Sequence, residues 1–260
     1  MFAKHPDRMP PESTPERLYA LCKWALQQPA PRNELEKQLV MQDVFGQQAS
    51  IFSLTMKAAE ELALVVVKDG VVHVIAPAAA FESYASFRKH IASIVFNNPE
   101  TTFFKFTEWY LAQNEAIYSN VNWASVAAKA DTENVHVVGT DPLGWRWWAS
   151  FLGLGYLHGT ILISNLSTRI RDCLDVESKF ERGEAIPASS FVEWLDINCP
   201  ETKMSRHERT LGLGVSNGLR VLAEKGYLEI LEQPDADRLK LYHLEGVTLN
   251  EFSHVIIKGV

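Results

Sequence analysis

The sequence predicts a mainly helical fold with small β-hairpins, and three observations predict it. Apolar residues recur at helical spacing along most of the chain. Three such helices precede a hairpin signal near residue 70, and the last third of the chain repeats this order. Because 47% of the 260 residues are apolar, the chain can bury a core and form two or three small domains.

The first helix is predicted to begin at Thr14-Pro15-Glu16. This triplet combines a hydroxyl N-cap, a proline at the first helical position and a carboxylate in the first turn. Apolar residues at helical spacing continue to about Gln28. The same spacing predicts second and third helices over 31–40 and 50–64.

A β-hairpin follows these helices. Strands 64–68 and 71–75 flank Asp69-Gly70, a pair that a two-residue primed turn prefers. Three helices and a hairpin, in this order, predict a winged-helix domain over residues 1–76.

A helical middle domain is predicted next, rich in tryptophan. Trp145, Trp147 and Trp148 lie in a predicted helix over 143–152 that is aromatic on most sides. Such a helix favours a central buried position. The alternative is that the rings stack nucleic-acid bases, with Arg146 as the one cation inside the run.

The last third of the chain again begins with helices. An amphipathic helix is predicted over 189–198, and 205–208 fits a capping box that opens a second helix. Residues 213–216 then predict a turn in which Ser216 caps a third helix over 217–225.

Two strands, 227–232 and 239–244, are predicted around a polar turn. They complete a second winged-helix domain. The predicted domains are therefore residues 1–76, 77–185 and 186–260.

The third helix of the C-terminal domain is the candidate DNA-binding element. Helix-turn-helix proteins place the N-terminal half of this helix in the major groove, where arginine reads guanine and asparagine reads adenine. Nearby cations would hold phosphates. The candidate DNA-binding residues are Lys203, Arg206, Arg209, Ser216, Asn217, Arg220, Arg238 and Lys240.

The charge of the chain weighs against strong DNA binding. The formal net charge is −7, and acidic residues outnumber basic ones in each third of the sequence. A phosphate site must therefore be local, and double-stranded DNA should bind weakly without a partner or a homodimer. The alternative is that the candidate residues are ordinary surface cations.

The third helix of the N-terminal domain predicts a protein-binding surface instead. Its polar face carries Lys57 against Glu60 and Glu61, and carboxylates would repel phosphates. Phe45 and Ile51 could supply apolar anchors for a partner.

No sequence motif predicts catalysis. The strings Gly153-Leu-Gly155 and Gly212-Leu-Gly214 follow predicted helices, whereas a nucleotide cradle follows a strand. Asp196 together with Glu201-Thr202-Lys203 could mimic the acidic and ExK pattern of a magnesium nuclease, but the triplet follows Pro200 in a connector and is not on a strand. The histidines are scattered, so we expect no metal, no cofactor and no enzymatic activity.

The predicted location is the cytoplasm. Cys22, Cys173 and Cys199 lack paired spacing, which predicts reduced core residues. The N-terminal stretch has no apolar core between its charges, and the longest apolar runs fall well short of a membrane span.

The string LGVSNGLRVLAEKGYLEI, residues 213–230, resembles the recognition helix and first wing strand of bacterial winged-helix regulators. The whole arrangement, with its WxxFLGLG segment at 148–155, resembles the DpdG-type component of bacterial clusters that place deazapurines in DNA and restrict unmodified DNA. The resemblance implies a non-catalytic DNA-recognition subunit of a restriction or anti-phage system. The alternatives are a structural adaptor with protein-binding winged helices, as in condensin-like complexes, and a transcriptional regulator.

Overall fold

The structure is a computed structural model that describes residues 1–39, 48–119, 122–159, 161–177 and 179–258, apart from the side chains of 48–50 and 177. It is mainly helical with small antiparallel sheets, as the sequence predicts. None of the helices in these ranges is long and apolar enough to cross a bilayer.

The helices are α1 (Pro15–Gln27), α2 (Arg32–Leu39), α3 (Gln48–Glu61), α4 (Tyr84–Val95), α5 (Thr102–Ala112), α6 (Trp123–Thr132), α7 (Asp141–Phe151), α8 (Ser167–Glu177), α9 (Ala188–Asn198) and α10 (Leu213–Glu224). The strands are β1 (Ala30–Pro31), β2 (Val65–Lys68), β3 (Val71–Val74), β4 (Gly155–His158), β5 (Ile161–Ser164), β6 (Ala185–Pro187), β7 (Leu228–Leu231), β8 (Leu239–Lys240), β9 (Glu251–Phe252) and β10 (His254–Ile257). Short 3₁₀ helices cover Ala78–Phe81, Asn114–Ser119 and Pro200–Ser205.

The chain divides into two compact units, and each is made of two segments. Unit one is Met1–Lys105 with Trp123–Leu152, and unit two is Phe106–Asn122 with Gly153–Val260. The predicted domains 1–76 and 186–260 each fall inside one unit, whereas the predicted middle domain is divided between the two. The three-domain division itself stays a prediction.

The predicted hairpin of unit one is confirmed. Strands β2 and β3 pair antiparallel from Val65 opposite Val74 to Lys68 opposite Val71. Both turn residues have positive φ, 51° at Asp69 and 77° at Gly70, as a primed turn requires. Strand β1 joins the other edge of β3, which gives the sheet order β1-β3-β2.

The tryptophan-rich helix α7 belongs mainly to the core of unit one. Trp145 and Trp148 are fully buried, which confirms the core prediction for these two rings. The core prediction is wrong for Trp147, which is 40% exposed, and the Arg146 guanidinium carbon lies 4.8 Å from the centroid of one of its rings.

The N-terminal segment packs against α7 and explains a glycine in this helix. The indole nitrogen of Trp148 donates a hydrogen bond of 2.6 Å to the Ser13 carbonyl. A Cβ atom on Gly144 would lie 2.1 Å from the Met9 carbonyl oxygen. The helix can approach the segment this closely only because residue 144 has no side chain.

The predicted strand pairing of unit two is wrong. Strand β7 pairs with β10 rather than with the segment after the polar turn, and β8 pairs with β9. Strand β10 alternates half-buried and buried residues, so it supplies the apolar face that completes the sheet β6-β10-β7.

The second predicted helix of this region is also wrong. Residues 200–205 form a 3₁₀ helix, and the Ser205 hydroxyl donates back to the Thr202 carbonyl at 2.6 Å instead of capping a later helix. His207 and Thr210 then exchange backbone hydrogen bonds across a turn in which Glu208 has a φ of 50°. A left-handed residue at this point stops helical continuation.

Helix α10 begins at Leu213, with Gly212 at the N-cap, so Ser216 does not cap it and 213–216 is not a turn. The Leu213 amide donates to the side-chain oxygen of Asn114 at 2.7 Å. A capping acceptor thus comes from a residue far away in the sequence, which no local motif could reveal.

Candidate functional site

The candidate DNA-binding residues all lie in unit two, on α10, on the connector before it and on the segment around β8. A groove-reading helix must present side chains to solvent along its N-terminal half. In α10, residues 213–216 are instead all buried, and the exposed positions described on this helix begin at Glu224.

Two glycines bring one face of α10 against the chain segment 164–170. A Cβ on Gly218 would lie 2.8 Å from the Ser167 backbone nitrogen, and one on Gly214 would lie 2.5 Å from Cδ1 of Leu166. Leu219 and Leu222 are buried as well. The helix is therefore enclosed within its own unit along much of its length.

Ser216 and Asn217 use their side chains inside the unit. The fully buried Ser216 hydroxyl accepts from the Tyr242 amide at 2.8 Å and donates to the Leu211 carbonyl at 3.3 Å. The Asn217 amide donates to the Ser164 carbonyl at 3.1 Å. Both groups join α10 to neighbouring backbone.

Arg220 fastens the segment 241–250 to α10. Its Nε donates to the Leu249 carbonyl at 3.1 Å, and its Nη2 donates to the carbonyls of Tyr242 and Leu249 at 2.8 and 2.9 Å. Burial lowers the pKa of this guanidinium below its ordinary value. A guanidinium held by carbonyls is not presented for bidentate reading of a guanine.

Three of the remaining candidates form ion pairs. Arg206 makes a two-pronged contact with Asp196, at 3.2 Å to one carboxylate oxygen and 2.8 Å to the other. The two further pairs are Arg209 with Asp237 and Arg238 with Glu251. These carboxylates offset the positive charge that a phosphate would meet.

Lys203 and Lys240 are exposed. Lys203 lies near Glu108, whose pKa is raised by burial and lowered in part by the lysine. Lys240 lies beside Arg209, because its backbone amide donates to the Arg209 carbonyl at 2.8 Å. These two lysines and Arg209 are the most accessible of the predicted phosphate contacts.

The nuclease-like residues are not brought together as a site. Glu201 is fully buried and accepts a hydrogen bond of 2.8 Å from Nε of Arg169, whereas Lys203 is exposed. Within the described residues, no group of three His, Cys, Asp or Glu is placed to hold a metal ion. In the glycine string at 153–155, Gly155 allows β4 to lie close to β5, since a Cβ on this residue would lie 2.2 Å from the Ile163 carbonyl oxygen.

The third helix of the N-terminal region is partly covered by the segment that precedes α1. Lys57 lies 3.3 Å from Asp7 and 3.3 Å from Glu61, so its charge is offset within unit one. Ile51 is half-buried, and Phe45 lies outside the described residues.

Sequence reasoning missed a buried cluster in unit two. Arg169 on α8 contacts Glu201, Cys173 and the carbonyl of Asn198. The cysteines offered the one sequence signal, yet their separation in the chain gave no reason to place them together.

Comparison with protein families, with curated proteins and with solved structures gives no match to this chain.

Proposed function

We propose that this chain is a non-catalytic adaptor whose winged-helix modules bind protein within a multi-protein assembly. The observation that carries the proposal is the enclosure of α10. The side chains of Asn217 and Arg220, near the middle of this helix, donate hydrogen bonds to backbone carbonyls of the same unit. A helix used in this way stabilises a module and leaves other surfaces for partners.

The order of elements supports two winged-helix modules. In the first, α1, β1, α2, α3, β2 and β3 follow one another, and the sheet order is β1-β3-β2. In the second, α8, β6, α9, α10, β7 and β10 come in the same sequence of types, with a 3₁₀ helix inserted before α10 and the β8-β9 pair inserted before β10, and the sheet order is β6-β10-β7. On this interpretation the second module begins at α8, before the boundary that the sequence predicts.

A partner surface is favoured near the end of α9. Ile197 is 71% exposed and Met204, in the following 3₁₀ helix, is 63% exposed. Large apolar side chains this exposed are candidates for interface anchors. Lys203 lies beside them in the sequence and would favour an acidic rim on the partner.

Co-purification from the native host tests this proposal. Ile197→Asp and Met204→Asp should each lose a protein partner that the wild-type chain retains. Tyr156→Asp is the matched control, because Tyr156 is 55% exposed in the same unit but lies on β4. Retention of every partner by all three variants would reject this surface.

DNA binding is the second candidate function, and the accessible cations Lys203, Arg209 and Lys240 favour it. Affinity for a duplex should then fall with salt, and Lys240→Ala should reduce the salt slope by about one. Arg220→Lys should leave the slope unchanged, because Arg220 bonds to protein carbonyls. If the chain does not bind duplex DNA at low salt even with the co-purified partner present, the result supports the adaptor function and rejects DNA binding.

The resemblance to the DpdG-type component gives both candidates a setting in DNA restriction or anti-phage defence. Partners that belong to a deazapurine modification cluster would support that setting. Binding to a promoter close to the gene would instead support a transcriptional regulator.

A further inference from the structure

Two buried cysteines lie close together in unit two. The Sγ atoms of Cys173 and Cys199 are 3.7 Å apart. Cys173 lies on α8 and is 5% exposed, whereas Cys199 directly follows α9 and is 0% exposed. The S–S bond of a disulfide is about 2.05 Å long, so disulfide formation requires the sulfurs to approach by about 1.7 Å.

A buried guanidinium makes the two sulfurs chemically different. Nη1 of Arg169 donates to Cys173 Sγ at 2.7 Å, while the same side chain bonds to Glu201 and to the Asn198 carbonyl. The hydrogen bond with Cys199 and then the charge of Arg169 hold the pKa of the Cys173 thiol below its ordinary value, against the opposing effect of burial. The hydrogen bond with Cys173 and burial raise the pKa of Cys199.

We propose that Cys173 and Cys199 are a peroxide-oxidised pair that closes into a disulfide, with Cys173 the first sulfur to react. The geometry supplies a guanidinium nitrogen 2.7 Å from the Cys173 sulfur and a second thiol sulfur 3.7 Å away. A low-pKa cysteine that peroxide can reach and that lies next to a resolving cysteine favours reversible oxidation. Of the two residues, Cys173 alone retains exposed surface, at 5% against 0% for Cys199.

The chemistry balances with a hydroperoxide as the oxidant. The Cys173 thiolate attacks one peroxide oxygen, the O–O bond breaks, and the sulfur becomes a sulfenic acid while the departing oxygen takes a proton. The Cys199 sulfur then attacks the Cys173 sulfur, and the hydroxyl leaves as water with the thiol proton. Two electrons pass from the two thiols to the peroxide.

The bond would tie α8 to the end of α9. The 3₁₀ helix that carries Lys203 and Met204 begins directly after Cys199. Oxidation would therefore restrain the chain directly before the proposed partner surface. This effect on a partner rests on the proposed function, whereas disulfide formation itself does not.

Cys22 provides an internal control for the experiment. It is buried in unit one, and burial alone raises the pKa of its thiol to about 12. The full chain is treated with hydrogen peroxide and digested without reduction, and the peptides are identified by mass. We expect a linked peptide that joins Cys173 to Cys199, lighter by two hydrogen atoms, and oxidation of Cys22 at least about tenfold slower.

Variants test the order of the steps. In Cys199→Ser, dimedone should capture a sulfenic acid at Cys173. In Cys173→Ser, capture at Cys199 should be at least about tenfold slower. Cys22→Ser should form the linked peptide at the wild-type rate.

Two results would overturn the proposal. One is the absence of the linked peptide from the wild-type chain at a peroxide dose that fully oxidises glutathione in the same tube. The other is oxidation of Cys22 as fast as that of Cys173. The wild-type measurement needs no variant, so a substitution that prevents folding leaves the test intact.

Discussion

Replacing Glu201 by glutamine should destabilise unit two by about 3–5 kcal/mol, because it leaves the Arg169 charge buried without its counter-charge. The Arg169 side chain is 7% exposed, that of Glu201 is 0% exposed, and Nε lies 2.8 Å from the carboxylate. Glutamine keeps the shape and one acceptor oxygen, so the loss reports mainly the missing charge. The guanidinium cannot relieve the cost by losing its proton.

The assay is urea unfolding, with amide exchange in α8 and α9 to assign the change to unit two. Asp237→Asn is the matched control, since it removes the counter-charge of Arg209 where the two side chains are 54% and 73% exposed. An exposed pair of this kind contributes at most about 1 kcal/mol. Equal losses for the two variants would refute the reasoning. The double variant Arg169→Met/Glu201→Leu should lose less than Glu201→Gln alone, because no charge stays buried.

Three further predictions follow from other contacts. Arg220→Ala should lower the free energy of unfolding by about 1.5–3 kcal/mol and speed amide exchange in 241–250, whereas unchanged exchange there would count against its fastening role. Tyr110→Phe removes a buried 2.8 Å hydrogen bond to the Leu162 carbonyl and should cost about 1–3 kcal/mol in urea unfolding; a neutral result would mean that the carbonyl finds another donor. Burial raises the pKa of Cys22 from 9.0 to about 12, so its contribution to stability is complete below pH 9 and is lost as pH rises towards 12. Cys22→Ala should therefore flatten the alkaline fall of the unfolding free energy, and parallel curves would disprove this origin.

Elements whose signals are local were predicted well from the sequence. The Asp69-Gly70 turn needs two residues with positive φ, and both have it. The amphipathic helix predicted over 189–198 is α9, and its apolar residues Phe191 and Trp194 are buried. These features depend on spacing and on backbone preference, which a sequence displays directly.

Elements set by distant contacts could not be predicted in this way. Ser216 has the side chain of an N-cap, but Asn114 accepts the Leu213 amide and the helix begins earlier. The prediction that Asn217 and Arg220 form an exposed DNA-reading face assumed that the helix begins after Ser216. It also assumed that solvent surrounds this part of the helix. The chain fills this space with backbone that no local pattern placed there.

The discontinuous second unit has a consequence for synthesis on the ribosome. Three of its contacts join the segment 106–122 to later residues: Tyr110 to Leu162, Tyr118 to Ser164 and Asn114 to Leu213. The two tyrosines therefore lack these partners until residues 162–164 have been translated, and Asn114 lacks its partner until residue 213 has been. Nascent chains stalled before residue 162 should consequently engage chaperones through this segment, and release past residue 213 should end that engagement.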